Sequence, residues 1–220
     1  MLVIFCLVQP PIPEVDLGFA LSASSVLHNE TFRLMKDIIT YIIDSYGTQK
    51  IHYSVLVYGE SATIEINFGQ TPPSPQQLKT AIEKLRVGTG TPNLAGALEE
   101  ALKMFEDKDR RPLTHKVLVI MADSRSGSTE DEIKMAARPL EERDIEVIPV
   151  AVGEEADPDE LGKTTPDKTN VIETDKEEDP KMVGEKIMDK IRGNSYFQKN
   201  NQTNKTQTNE QIDQTNSKKI

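Results

Sequence analysis

The sequence predicts an α/β fold: a doubly wound, mostly parallel six-stranded sheet with one antiparallel edge strand and helices on both faces. Three observations carry this expectation. Short apolar runs of strand length alternate with stretches of helical periodicity along most of the 220 residues, the order expected of strand-helix-strand units. Three of those runs, beginning at Val15, Lys116 and Ile145, are almost continuously apolar, as strands buried on both faces are. One run, Ala62, Ile64, Ile66 and Phe68, instead alternates with polar residues, the mark of a half-exposed edge strand.

The elements follow in order. Val15 to Leu21 forms the first strand and runs into Ser22-Ala23-Ser24-Ser25. Met35, Ile38, Ile39, Ile42, Ile43 and Tyr46 then fall on one face of a helix, which Gly47 ends because glycine adopts the left-handed conformation freely. Ile51 to Tyr58 is the second strand, and Gly59-Glu60 makes a tight hairpin into the edge strand. Gln76 to Leu85 is a helix. So is the segment whose stripe is Leu94, Ala97, Leu98, Ala101, Leu102 and Phe105. After the strand Lys116 to Ala122 comes a helix from Asp131 to Glu142, which Pro139 should kink or shorten. The strand Ile145 to Val152, a short strand Asn170 to Glu173 and a helix Lys181 to Ile191 complete the series.

The ends read differently from this middle. Residues 1–13 combine an apolar, signal-like opening with a Pro10-Pro11-Ile12-Pro13 linker, and 193–220 is an Asn-, Gln- and Thr-rich tail expected to be disordered. That leaves 14–192 as one domain. The apolar opening fits a trimmed signal peptide and a buried or disordered start equally, and it is too short to span a bilayer. Cys6 is the only cysteine, so no intrachain disulfide forms. With 36 acidic against 26 basic residues, the formal net charge is -10, which disfavours nucleic acid as a partner. Three sequons begin at Asn29, Asn201 and Asn204, a pattern of secreted chains. Asn29 opens the first helix and is expected to serve as its N-cap, in competition with glycosylation of the same amide group.

In a doubly wound sheet, ligands gather above the carboxyl ends of the strands. Three loops should converge there: Ser22-Ala23-Ser24-Ser25-Val26, Gly88-Thr89-Gly90-Thr91-Pro92-Asn93, and Asp123-Ser124-Arg125-Ser126-Gly127-Ser128. Their hydroxyls and single carboxylate are hard oxygen donors, suited to Mg²⁺ or Ca²⁺ rather than zinc. Other chemistry lacks support. His28, His52 and His115 are scattered without zinc or nucleophile spacing, and no glycine-rich phosphate loop follows the first strand.

These loops resemble the von Willebrand factor A domain of the extracellular type found in matrilins, collagens and integrin inserts. The resemblance extends over roughly Glu14 to Ile191. It implies a metal-ion-dependent adhesion site of Asp-x-Ser-x-Ser after the first strand, a Thr in the second loop and an Asp after the fourth strand, with the partner supplying a carboxylate to the metal. Those positions fall on Ser22, Ser24, Val26, Thr91 and Asp123. The leading Asp is Ser22 here and the second Ser is Val26. One carboxylate and one hydroxyl ligand are therefore gone, and Val26 offers no oxygen in any rotamer. Ser124, Ser126 or Glu130 reaches the site only if the fourth-strand loop folds back.

Ser22, Ser24, Thr91 and Asp123 are thus expected as the remnant of a metal site, forming a hydrogen-bonded polar cluster with no cofactor, the alternative being a weak or altered Mg²⁺ or Ca²⁺ site at the same residues. The expected function is that of a secreted, extracellular, non-enzymatic adhesion module. Its expected partners are extracellular matrix or cell-surface proteins or further copies of itself, with no nucleic acid and no membrane span. The alternative is an acidic, cation- or mineral-associated matrix protein acting through clusters such as 154–160 and 175–179.

Overall fold

A computed structural model describes residues 14–23, 29–69, 74–106, 111 and 114–193. Six strands form one sheet: β1 (Val15–Ser22), β2 (Ile51–Tyr58), β3 (Ala62–Ile66), β4 (His115–Ala122), β5 (Ile145–Val152) and β6 (Ile172–Thr174). The order is β3-β2-β1-β4-β5-β6, parallel throughout except for the β2–β3 hairpin. From β1 the chain winds outward to β2 and β3, then returns to place β4 on the other side of β1. The strand order therefore reverses between β1 and β4, and the crevice at their carboxyl ends is where this topology collects ligands.

The helices are α1 (Asn29–Tyr46), α2 (Pro75–Glu83), α3 (Leu94–Glu106), α4 (Glu130–Glu141), α5 (Pro158–Leu161) and α6, residues 180–193. Strand periodicity assigns them to faces. Leu17, Phe19 and Leu21 of β1 pack with Ile38, Ile42, Leu78, Ile187 and Ile191, so α1, α2 and α6 cover one side. Ala20 belongs to the opposite core, with Leu98, Ala101, Met104 and Leu140 of α3 and α4. Gly18 lies on that second face because α3 comes so close: a Cβ there would stand 3.0 Å from Met104 Cε and from Phe105 Cζ. On the first face, a Cβ on Gly184 would stand 2.6 Å from Tyr41 Cδ1, which fixes how closely α6 lies on α1.

Local signals account for most boundaries. Ser74 caps α2, and Thr129 with Glu132 forms a reciprocal capping box on α4. Pro139 sits in the last turn of α4, which ends two residues later at Glu141. The proline nitrogen has no hydrogen to give the carbonyl four residues back, yet α4 keeps all 12 residues expected, one position earlier at each end, so the helix is neither broken nor shortened. Asn29 is the first residue of α1, and the residue before it lies outside the described residues. The strand beginning at Ala62 stops at Ile66 rather than Phe68, and the last strand is Ile172–Thr174 rather than Asn170 to Glu173. β4 begins at His115, one residue earlier than the apolar run.

Candidate functional site

Ser22 ends β1 and Asp123 directly follows β4, so the switch point brings them together across 101 residues of sequence. The Ser22 hydroxyl donates to Asp123 Oδ1 at 3.0 Å. Thr31, in the first turn of α1, donates to Asp123 Oδ2 at 3.2 Å, and Ser124 donates to Oδ1 at 3.3 Å. All but Ser124 are buried, with Asp123 only 2% exposed. Tyr58 lies beneath them, fully buried, and donates to the Met121 carbonyl at 3.4 Å. Burial first, then the carboxylates of Asp123 and Glu160, push its hydroxyl pKa up, so it stays a neutral donor.

The neighbouring loops are laced to this cluster and to each other. Gly127 donates its amide to the Pro92 carbonyl at 2.8 Å, joining the second and third loops. Ser128 accepts from the Ala95 amide at 3.1 Å while Asn93 accepts from the Gly96 amide at 2.9 Å, so α3 is capped from both loops. Ser126 gives both its amide and its hydroxyl to the carboxylate of Glu160, at 2.9 and 3.0 Å. The result is a fastened edge whose polar groups largely answer one another.

The expected cluster is therefore divided. Ser22 and Asp123 meet. Thr91 is exposed, has no hydrogen bond to either among the described residues, and lines a separate groove between α3 and α4. Ser24 and Val26 fall outside the described residues, as do Cys6, His28 and the sequon asparagines Asn201 and Asn204. Ser124 reaches Asp123, whereas Ser126 turns to Glu160. Glu130 turns to Lys134 and Lys163, at 2.5 and 3.0 Å, and these hold its carboxyl well below the usual range, at about 2. His115 lies at the lower end of the sheet, 2.9 Å from Glu146, far along β4 from Asp123.

Thr31 was not anticipated. Its sequence signal is ambiguous, because Asn29-Glu30-Thr31 reads first as a sequon. What marks it is position: it precedes Phe32 at the start of the helix that follows β1, and both residues are buried.

The cavity above Asp123, about 210 Å³, is lined by Thr31, Glu154, Glu155, Asp175 and Glu177, with Lys176 as the basic residue among them. Lys176 is itself 3.6 Å from Glu177. Among the described residues no helix is long and apolar enough to cross a membrane.

A family model described as von Willebrand factor type A domain matches residues 16–185. The chain is 28% identical over 148 residues to the human collagen alpha-1(XXI) chain, an overlap of 66% of this chain and 15% of that one. It is 27% identical over 152 residues to mouse vitrin, covering 64% and 23% respectively. The chain thus spans a small part of the length of these relatives. Among solved structures, proximal thread matrix protein 1 from the mussel byssus superposes with a TM-score of 0.71 at 18% identity, covering 82% of this chain and 47% of that chain. A second structure of that mussel protein, described as having a zinc occupied MIDAS motif, gives a TM-score of 0.69 at 20% identity, covering 80% and 45%. At these identities the superpositions show the fold.

Proposed function

Because the chain belongs to the von Willebrand factor type A domain family, we propose that it is an extracellular, secreted, non-enzymatic binding module whose contacts with matrix or cell-surface proteins form without a metal ion. The observation that carries this reading is the state of Asp123, whose two oxygens already accept hydroxyl donors from Ser22, Thr31 and Ser124. Mg²⁺ requires near-octahedral oxygen geometry and gives up water reluctantly, so its sites offer charge in return. This donor set does not fit that requirement. It supplies one carboxylate, a serine where the resemblance calls for the leading aspartate, and a Thr91 that belongs to another groove. Family relatives that are collagen chains and vitrin support placing the module in the matrix.

The test joins two measurements. Calorimetric titration with Mg²⁺, Mn²⁺ and Ca²⁺ should give no saturable sub-millimolar site, and binding to a panel of purified matrix proteins should be the same in Mg²⁺ and in EDTA. A tight single site together with loss of binding in EDTA would overturn the reading.

A second reading has its own observation. The acidic loops carrying Glu154, Glu155, Asp175 and Glu177 come together around one cavity, as a surface that attracts cations or mineral by charge would require. Many weak Ca²⁺ sites in the same titration would favour it.

A further inference from the structure

We propose that the groove between α3 and α4 is a docking surface for a basic segment of a partner protein, one carrying a lysine or arginine next to an apolar side chain. This rests on the binding-module reading and adds the chemistry of the partner. The groove encloses about 450 Å³. Ala95 and Glu99 of α3 form one wall and Glu132 and Met135 of α4 the other, while Thr91 and Glu60 close its upper end. No lysine or arginine lines it.

Two independent features point to an occupant of that kind. The first is apolar. Met135 is 76% exposed, more than any other large hydrophobic residue described, and it stands on the rim of a groove rather than alone on a convex surface. An unbranched thioether adapts to many apolar shapes, which is why exposed methionines recur at binding surfaces. The second is charge. Glu60 and Glu99 are exposed, and neither has an ion-pair partner among the described residues, whereas Glu132 is turned into the α4 capping box. A groove with an apolar rim and two exposed carboxylates, neither in a close ion pair and only Glu99 drawing on a more distant cation, Lys103, complements a side chain that is apolar along its stem and cationic at its tip. The stem of a lysine or arginine would lie along Met135 and its head would meet Glu60 and Glu99, in bidentate form for arginine.

The groove is also preformed. Its upper end is held by the Ser128 and Asn93 caps on α3 and by the bond from Gly127 to Pro92, so little ordering is left to be done on binding. Thr91, separated from Asp123, here becomes a hydroxyl at the mouth of a different site.

The probe is a fluorescein-labelled peptide of repeated Gly-Arg-Leu, with a matched Gly-Glu-Leu peptide as control. Fluorescence polarisation should show saturable binding of the first only, and ¹⁵N-edited chemical-shift mapping should place it at 91–96 and 132–135. Glu60→Lys with Glu99→Lys should weaken binding at least ten-fold and Met135→Ser at least three-fold, with thermal melts unchanged. Glu154→Lys with Asp175→Lys, at the other acidic edge, should leave it unchanged. Equal loss from both charge reversals would reduce the effect to net charge and overturn the inference. So would absence of saturable binding, or a concentration-dependent dimer in sedimentation that Met135→Ser abolishes, since that assigns the groove to a second copy of the chain. The two readings fail separately. Matrix-protein binding that survives Glu60→Lys with Glu99→Lys removes the groove and leaves the module, whereas peptide binding by a chain that holds no matrix protein removes the module and leaves the groove.

Discussion

Two buried aspartates at opposite ends of the central strand pair, Asp16 within β1 and Asp123 just past β4, make opposite uses of the same side chain. Asp16, near the start of β1, is fully buried and meets the guanidinium of Arg111 through Nε at 3.2 Å and Nη2 at 3.1 Å, with the Thr114 hydroxyl at 2.6 Å on its other oxygen. Asp123, at the far end of β4, is as deeply placed but meets only the hydroxyls of Ser22, Thr31 and Ser124 among the described residues. A buried charge is tolerated when it is paired and hydrogen-bonded, and costly when left alone. The lower aspartate is thus a charge-balanced bolt: Arg111 also donates to the carbonyls of Val15 and Lys50, tying β1 to the turn before β2. The upper one is held by neutral donors at the mouth of an acidic cavity. Scaffold and site differ here in counter-charge rather than in depth.

The largest effect should come from breaking the balanced end. Arg111→Ala strips the cation from a fully buried carboxylate and should cost about 3–5 kcal/mol in urea unfolding, the range for removing one partner of a buried pair. A loss below about 1 kcal/mol would show that Asp16 is carried by Thr114 and the strand backbone instead. Next is the unbalanced end. Ser22→Asp with Val26→Ser places a second carboxylate beside Asp123 and should lower stability by about 2 kcal/mol without metal. Saturating Mg²⁺, at 100 times its Kd, should then return about 2.7 kcal/mol by linkage. Failure of Mg²⁺ to raise the melt would mean that Ser22 and Val26 do not occupy the ligand positions the resemblance assigns. Thr31→Val removes one donor to a charged acceptor in a nearly isosteric way and should cost about 1.5–3 kcal/mol. Thr31→Ser should restore most of it, whereas Asn29→Gln, which removes the sequon alone, should leave unfolding of the unglycosylated chain unchanged.

The difference between the two aspartates also marks what was legible in the sequence. The strands and helices were readable because their apolar periodicity is local: Leu17, Phe19 and Leu21 alternate, and Leu94, Ala97, Leu98 and Ala101 recur at helical spacing. The pairing of Ser22 with Asp123 was readable through topology, since parallel winding sends the ends of β1 and β4 to one crevice. Thr31 was not, because a buried hydroxyl in a first helical turn has no sequence mark that separates it from a sequon or a cap. Loop membership alone points Thr91 to the crevice, but it is exposed in a second loop that the bonds from Gly127 to Pro92 and from Ser128 to Asn93 tie to the third. Arg111 illustrates the same limit. Its role depends on a contact across 95 residues that no local pattern announces.

The smallest effect is one of pH, and it separates both aspartates from a third charged group. Where α6 lies on α1, Glu185 accepts from Tyr41 at 2.6 Å and from Tyr46 at 2.8 Å, and Arg192 donates to the Tyr46 hydroxyl at 2.7 Å. Burial, then the bond to Glu185, raise the Tyr46 pKa to about 12, against the opposing pull of Arg192. The folded state therefore holds this proton after the unfolded chain, with its ordinary value of 10.0, has lost it. Between pH 10 and 12 the folded state binds more protons, so stability falls as pH rises through that window. Buried Tyr53 and Tyr58, also shifted upward, add to the same slope. Tyr46→Phe should make the drop in urea midpoint between pH 8 and 11 shallower than in the parent chain. An equal drop would assign the alkaline loss to Tyr41, Tyr53 and Tyr58. At acid pH the sign reverses for Glu185, whose carboxyl is held low chiefly by the Tyr41 hydroxyl: its contribution is present above the ordinary carboxylate value and lost as pH falls. Arg111→Ala and Thr31→Val, which touch neither tyrosine nor Glu185, should keep the parent's alkaline slope while shifting its height by their different amounts.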